Sequence, residues 1–99
     1  MNFAFHPEAL EEYLAAIRHY SSIHPKLGER FVEEIEHAVG AIRWKPMAWR
    51  IVEDDVRRYL VHGFPYGVYF TISNEEITIW AVMHLSKKPG YWEERRSGG

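Results

Sequence analysis

Residues 66–85 read YGVYFTISNEEITIWAVMHL, and this stretch decides the fold. Apolar side chains recur at every second position of residues 66–73, which is the pattern of a half-buried strand. Residues 76–85 form a second run rich in apolar and β-branched side chains. Asn74 and Glu75 fit a two-residue hairpin loop between them. The sequence therefore predicts two long antiparallel strands joined by a tight turn.

The two faces of this predicted hairpin differ in what they contact. One face is expected to pack on helices through three cross-strand pairs: Ile72 with Ile77, Phe70 with Ile79, and Val68 with Ala81. The other face is expected to be open, with Tyr69 opposite Trp80, and with Val82 and His84 farther along the same side. Large apolar residues on an open face favour binding of a partner, so Tyr69, Trp80 and Val82 are candidate partner contacts.

Two amphipathic helices precede the hairpin. Pro7 and Pro25 each suit the first position of a helix, and both are followed by apolar residues at spacings of three and four. The first helix is expected to end near residues 21–22, and Lys45-Pro46 stops the second. The short connection between them predicts an antiparallel helical hairpin.

The remaining segments are shorter and less strongly patterned. Residues 2–5 alternate and predict a first strand, residues 47–55 are interpreted as a connector, and residues 56–62 predict another strand. Residues 89–95 are interpreted as a short terminal helix. Trp92 in this segment either pins the helix to the body or contacts a partner.

The order β-α-α-β-β-β predicts an α+β fold, with an N-terminal helical hairpin packed on a small antiparallel sheet. The 99 residues allow one domain, expected over residues 1–96, with 97–99 as a tail. The absence of cysteine excludes disulfides and thiolate metal sites, and the histidine spacings do not match a zinc site, so no metal is expected. No apolar run is long enough to span a membrane, and no leader pattern opens the sequence, so a cytoplasmic location is expected.

Charge is distributed unevenly along the chain. Residues 1–55 hold six Lys or Arg against ten Asp or Glu, and residues 56–99 hold six against four, so net charges of −4 and +2 add up to −2. This overall charge argues against a strong nucleic-acid binder. The basic half nevertheless carries a candidate site, expected at one end of the sheet because its strands are expected to be neighbours. Its members are Arg57, Arg58, His84, Lys87, Lys88 and Tyr91.

This candidate site supports two interpretations. Arginine and lysine side chains can hold a phosphate group, and His84 can act as an acid or base near neutral pH. Alternatively, the basic residues are solvated charges and His84 caps a strand. No phosphate-binding glycine loop and no nucleophile motif is present.

The chain resembles the RelE/ParE superfamily of type II toxins, often called plasmid-stabilisation proteins, in the order and spacing of its motifs. They are FHPEA at 5–9, GERF at 28–31, VRRYL at 56–60, FPYGVYF at 64–70, AVMH at 81–84 and PGYW at 89–92. The resemblance covers about residues 3–96. It implies two helices against a small antiparallel sheet, no cofactor, and a cognate antitoxin as partner in a toxin–antitoxin hetero-oligomer.

The resemblance also implies two different modes of toxicity. RelE-like members cut mRNA on the ribosome, and here Lys87 and Tyr91 match their basic and late tyrosine positions, with His84 as a further catalytic candidate. ParE-like members act on DNA gyrase and have no established catalytic residues. Gly67 stands where RelE-like members carry an arginine, which favours the ParE-like side and growth inhibition through gyrase. The alternatives are a ribosome-dependent endoribonuclease and a non-toxic protein-interaction module of the same fold.

Overall fold

The computed structural model describes residues 1–88, 90 and 92–97. It has the predicted α+β architecture, with two helices packed on one five-stranded sheet. No helix in this part of the chain is long and apolar enough to cross a bilayer. The elements are β1 (Asn2–Phe5), α1 (Pro7–Ile23), α2 (Pro25–Trp44), a 3-10 turn (Pro46–Ala48), β2 (Arg50–Glu53), β3 (Val56–Leu60), β4 (Tyr66–Ser73), β5 (Glu76–His84) and α3 (Glu93–Ser97).

The helical hairpin is confirmed, and both of its helices begin with a histidine N-cap. A histidine precedes each proline, and its Nδ1 accepts a hydrogen bond from a backbone N–H in the first turn: Glu8 N–H to His6 at 3.2 Å, and Lys26 N–H to His24 at 3.1 Å. These bonds satisfy donors that a helix start otherwise leaves without a partner.

The sheet differs from the prediction in three respects. Its strand order is β1-β5-β4-β3-β2, and β1 runs parallel to β5, so the sheet is mixed and not purely antiparallel. Residues 50–53, interpreted as connector, form the edge strand β2 against β3. Its sequence RIVE places two apolar residues side by side between charged ones, so it does not show the alternation that indicates a strand. Finally, β4 lies between β3 and β5, so the two strands carrying the basic residues are not neighbours.

The β4–β5 register is confirmed near the turn and wrong farther away. Ile72 pairs with Ile77 and Phe70 with Ile79 as predicted, but Val68 pairs with Val82 and Tyr69 with Ala81. Trp80 is an extra residue between these pairs, which makes a β-bulge. Because side chains alternate between faces with a period of two, one extra residue exchanges the faces of every later position on β5.

The bulge gives the sheet two apolar layers. Val82 turns toward the helices and joins the main core, where it is 1% exposed. Ala81 and Met83 turn to the other face and form a second core. The main core includes Ala9, Ala16, Phe31, Ile35, Ala38, Ile42, Val68, Phe70, Ile77, Ile79 and Val82.

An ion pair between α1 and the C-terminal segment completes the backbone bonding of the bulge. Glu12 Oε1 accepts a hydrogen bond from the Val82 N–H at 3.1 Å. Arg95 donates to both Glu12 oxygens at 2.8 Å and to the Trp80 carbonyl at 2.8 Å. The Arg95 side chain is only 5% exposed. We call this arrangement the Glu12–Arg95 clamp.

The C-terminal segment covers the face of the sheet that was expected to be open. Trp92 is 1% exposed and stacks on Tyr69, with ring centroids 4.6 Å apart. Arg96 donates to Asp55 at 2.6 Å, and this hydrogen bond lowers the pKa of Asp55. Ser97, expected in the tail, is the last residue of α3, and Gly98 and Gly99 lie outside the described residues.

Gly67 makes the second core possible. A Cβ atom at this position would lie 2.9 Å from Cε1 of Tyr69, closer than packed carbon atoms approach. The Tyr69 ring therefore lies over the bare backbone of Gly67, where it can stack on Trp92.

We expect Glu12→Ala to lower the free energy of unfolding by about 3 kcal/mol, because it removes both carboxylate acceptors of a buried guanidinium and the acceptor of a bulge N–H. Urea denaturation followed by far-UV circular dichroism measures the change. Glu11→Ala is the control, since Glu11 is exposed and makes none of the clamp's contacts, and its effect should stay within about 0.5 kcal/mol. Equal midpoints for the two variants would show that the clamp contributes nothing to stability.

We expect Gly67→Ala to destabilise the chain by about 1–3 kcal/mol, because the new methyl group forces Tyr69 off its position. Near-UV circular dichroism should change as the Tyr69–Trp92 stack is disturbed. Gly40→Ala in α2 is the control, since no atom lies within 4 Å of its added Cβ, and it should stabilise by about 0.5–1 kcal/mol. Thermal unfolding of both variants measures the contrast, and a stable Gly67→Ala variant would contradict this account.

Candidate functional site

A cleft of about 210 Å³ lies between α1 and the end of β5. It brings together two of the predicted site residues, His84 and Lys87, and adds His19 from α1 and Tyr66 from β4. His84 faces this cleft and not the opposite side of the sheet, so the prediction that it continues the open face is wrong. The reason is the bulge at Trp80, after which the side chains of β5 lie on the opposite face from the one that strict alternation predicts.

The cleft has hydrogen-bond donors, and His19 is a residue in it that can act as a base. The Nδ1 of His84 accepts the Ser86 N–H at 3.1 Å, so a neutral His84 carries its proton on Nε2. Burial, together with the nearby Tyr20 and Glu12, raises the pKa of Tyr66 and keeps its hydroxyl protonated. Glu12 also lines the cleft, but its carboxylate is held by Arg95 and the Val82 N–H. The donors of this cleft can bind an anionic or polar group, while its other side chains, apart from His19, offer no free base.

The two neighbouring arginines of β3 have different roles. Arg57 points to the helical side and donates to the carbonyls of Met47 at 3.2 Å and Trp49 at 2.7 Å, which fixes the connector after α2. Arg58 lies on the opposite face, in register with Tyr69. Neither arginine lines the His84–Lys87 cleft. The basic group expected at one end of the sheet is thus divided between its two faces.

The other predicted residues are placed as follows. Lys88 is exposed after the turn that follows β5, and Tyr91 lies outside the described residues. Tyr69 and Trp92 are buried against each other in the second core, and Val82 is buried under α1. Trp80 is half-buried, with its Nε1 donating to Thr71 Oγ1 at 2.9 Å. The face predicted for a partner is therefore covered by the chain's own C-terminal segment.

Gly67 leaves no space for the arginine that RelE-like toxins carry at this position. Its face of the strand is occupied by the Tyr69 ring, so any side chain would have to displace it. An arginine there would also break the Tyr69–Trp92 stack. The packing of the second core therefore requires glycine where the RelE pattern has arginine.

A second surface was not predicted from the sequence. An apolar groove of about 320 Å³ runs beside the edge strand β1, between it and the helices. Phe3, Phe5, Tyr13 and Val39 line it, and Arg43 closes one end by donating to the Met1 carbonyl at 2.9 Å. The alternation of Phe3 and Phe5 was the available signal, but it predicted only the strand and not the groove.

No cluster of three or more potential metal ligands occurs within residues 1–88, 90 and 92–97. In that part of the chain the histidine, aspartate and glutamate side chains do not gather in threes.

Comparison with known proteins agrees with this geometry. One solved structure with a similar fold is described as a "Chromosomal ParDE TA system from P. aeruginosa", with a TM-score of 0.76 and 20% sequence identity. The match covers 85% of this chain and 95% of that one. No curated protein matches the sequence. The family model for the ParE toxin of type II toxin–antitoxin systems, parDE, matches residues 3–89. The chain therefore belongs to the ParE toxin family.

Proposed function

We propose that this ParE-family toxin inhibits growth by binding DNA gyrase and is neutralised by a cognate antitoxin. The observation that carries the proposal is the packing at Gly67, where Tyr69 excludes the arginine of the nuclease pattern. Arg58 and the His84–Lys87 pair lie on opposite faces of the sheet, so they do not form one nuclease-like group. This separation also supports gyrase binding over RNA cleavage. The chain then acts by occupying a protein surface and not by cleaving RNA.

The groove beside β1 supports a protein partner. It combines exposed aromatic surface with an edge strand, and an extended or helical segment with apolar side chains could fill it. We assign this groove to the antitoxin, in a hetero-oligomer that forms in the cytoplasm. The gyrase contact then lies elsewhere on the toxin.

We expect induced expression of the chain to arrest growth, and the purified chain to block supercoiling of relaxed plasmid by gyrase. Agarose gels of the plasmid report the second effect, and the cognate antitoxin should reverse both effects. Messenger RNA should keep its normal ends when they are mapped after induction. Normal supercoiling together with mRNA cut at ribosomes would contradict the proposal, and so would normal growth.

An endoribonuclease is the second candidate, favoured by the meeting of His84, Lys87 and His19 in one cleft. Its chemistry would be attack of a 2′-hydroxyl on the adjacent phosphorus. The 2′-oxygen–phosphorus bond forms a 2′,3′-cyclic phosphate, the bond to the 5′-oxygen of the next nucleotide breaks, and that oxygen leaves as a hydroxyl, with the basic groups offsetting the developing charge. We expect the triple variant His84→Ala, Lys87→Ala, Tyr91→Ala to remain toxic, because gyrase binding needs no catalytic group. Growth after induction measures this, with Lys26→Ala on α2 as the control for loss of a surface charge. Loss of toxicity and of mRNA cleavage in the triple variant alone would favour the nuclease.

A further inference from the structure

We propose that Arg50 and Arg58 form a binding site for the phosphodiester backbone of a nucleic acid at the β2 edge of the sheet. The inference deepens the proposed function, because a toxin acting on gyrase meets an enzyme that holds DNA. It rests on the relative positions of the two arginines, on their lack of acceptors, and on the distribution of acidic groups around them.

The first observation is that the two arginines lie directly opposite each other. Arg50 on β2 and Arg58 on β3 are cross-strand partners, so both side chains leave the same face of the sheet. Directly opposed like charges destabilise an antiparallel pair, and a short edge strand has little packing to offset that cost. The arrangement is therefore unfavourable unless an anion joins the two guanidinium groups.

The second observation is that neither guanidinium meets a hydrogen-bond acceptor among the residues that the structure describes. Among the described residues, other arginines of the chain find protein partners: Arg43, Arg57, Arg95 and Arg96 donate hydrogen bonds, and Arg30 lies over the Phe64 ring. Arg18 is exposed on α1. Arg58 is half-buried, yet within that part of the chain it shows no hydrogen bond or ion pair. Its donors therefore remain available to a ligand, and a phosphate can accept two parallel hydrogen bonds from one guanidinium.

The third observation is that the acidic groups of this hairpin lie at its opposite end. Glu53, Asp54 and Asp55 surround the β2–β3 turn, and Asp55 is paired with Arg96. The cleft at the arginine end has His62 and the Tyr59 phenol as its other ionisable groups, and Glu33 and Glu34 of α2 line an adjoining cleft with the same two residues. Within the β2–β3 hairpin itself, the positive charge is thus at the arginine end and the negative charge at the turn.

The shape of the site fits a polymer better than a small ligand. Arg50 and Arg58 border an open cleft of about 740 Å³ at the sheet edge, together with Trp49, Leu60 and His62. Two adjacent guanidinium groups can hold one phosphate together or two successive phosphates of a strand. Single-stranded and duplex DNA share this chemistry, and the measurement below separates them.

The test measures binding of a fluorescein-labelled 20-nucleotide DNA, single-stranded and duplex, by fluorescence anisotropy at several salt concentrations. We expect the purified full chain to bind, and the double variant Arg50→Ala, Arg58→Ala to bind roughly tenfold more weakly at 50 mM salt. The slope of log affinity against log salt should fall in magnitude by about two, one for each lost contact. The strand form with the larger change identifies the preferred ligand.

Two further variants control for charge and for folding. Arg18→Ala removes one positive charge from an exposed helix position, as each single arginine substitution does, and should leave the slope unchanged. Arg58→Lys keeps the charge but loses the planar fork, so it should retain the slope and bind more weakly. The double variant should melt at or above the temperature of the unsubstituted chain, because a repulsion is removed.

Two results would overturn the site. If the unsubstituted chain does not bind either DNA at 50 mM salt, there is no phosphate site. If the double variant loses no more affinity than Arg18→Ala, the arginines only keep the edge strand from pairing with other chains. Gyrase is absent from this measurement, so its failure leaves the proposed function intact, and a failed supercoiling assay leaves the DNA result intact.

Discussion

The Glu12–Arg95 clamp is the interaction on which the arrangement of the sheet depends. A bulge leaves one strand with backbone groups that the neighbouring strand does not pair, and inside a protein such groups need other partners. Here the Val82 N–H donates a hydrogen bond to Glu12, and Arg95 donates one to the Trp80 carbonyl. Since the same two side chains also bond each other, a helix, a strand and the C-terminal segment are joined at one point.

The bulge determines which residues are available to other molecules. Without it, Val82 and His84 would share the face of Tyr69, and a nuclease-like group could form beside Arg58. With it, His84 lines a cleft under α1 while Arg58 stays on the opposite face. The packing of Tyr69 over Gly67 then fills the space where a catalytic arginine would stand. The extra residue Trp80 and Gly67 thus both favour a toxin that inhibits by binding and not by catalysis.

Much of the fold followed from local patterns in the sequence, and the failures have a common cause. Proline positions and apolar spacing located both helices within two or three residues, and the loop at Asn74-Glu75 gave the register near the turn. The bulge was missed because strict alternation was extended through Trp80. The four consecutive apolar residues 80–83 were the signal, since they indicate a strand buried on both faces and hence a cover, which Trp92 provides. Strand β2 could not be predicted because its sequence RIVE does not alternate between apolar and polar residues. The clamp could not be predicted because an ion pair between distant residues leaves no local pattern.

The distance along the chain between the two halves of the clamp has a consequence for synthesis. Glu12 and Arg95 are 83 residues apart, so the contact joins nearly the first and nearly the last part of the polypeptide to be made. Domains generally fold as units when their chains emerge from the ribosome, and contacts of such long separation form late. The helical hairpin can form while the C-terminal residues are still inside the ribosome, since both of its helices come from the first half of the chain. The groove beside β1 forms later, because β1 pairs in the sheet with β5, and the second apolar layer gains its cover from Trp92 later still. Both surfaces are therefore complete only when synthesis is nearly finished.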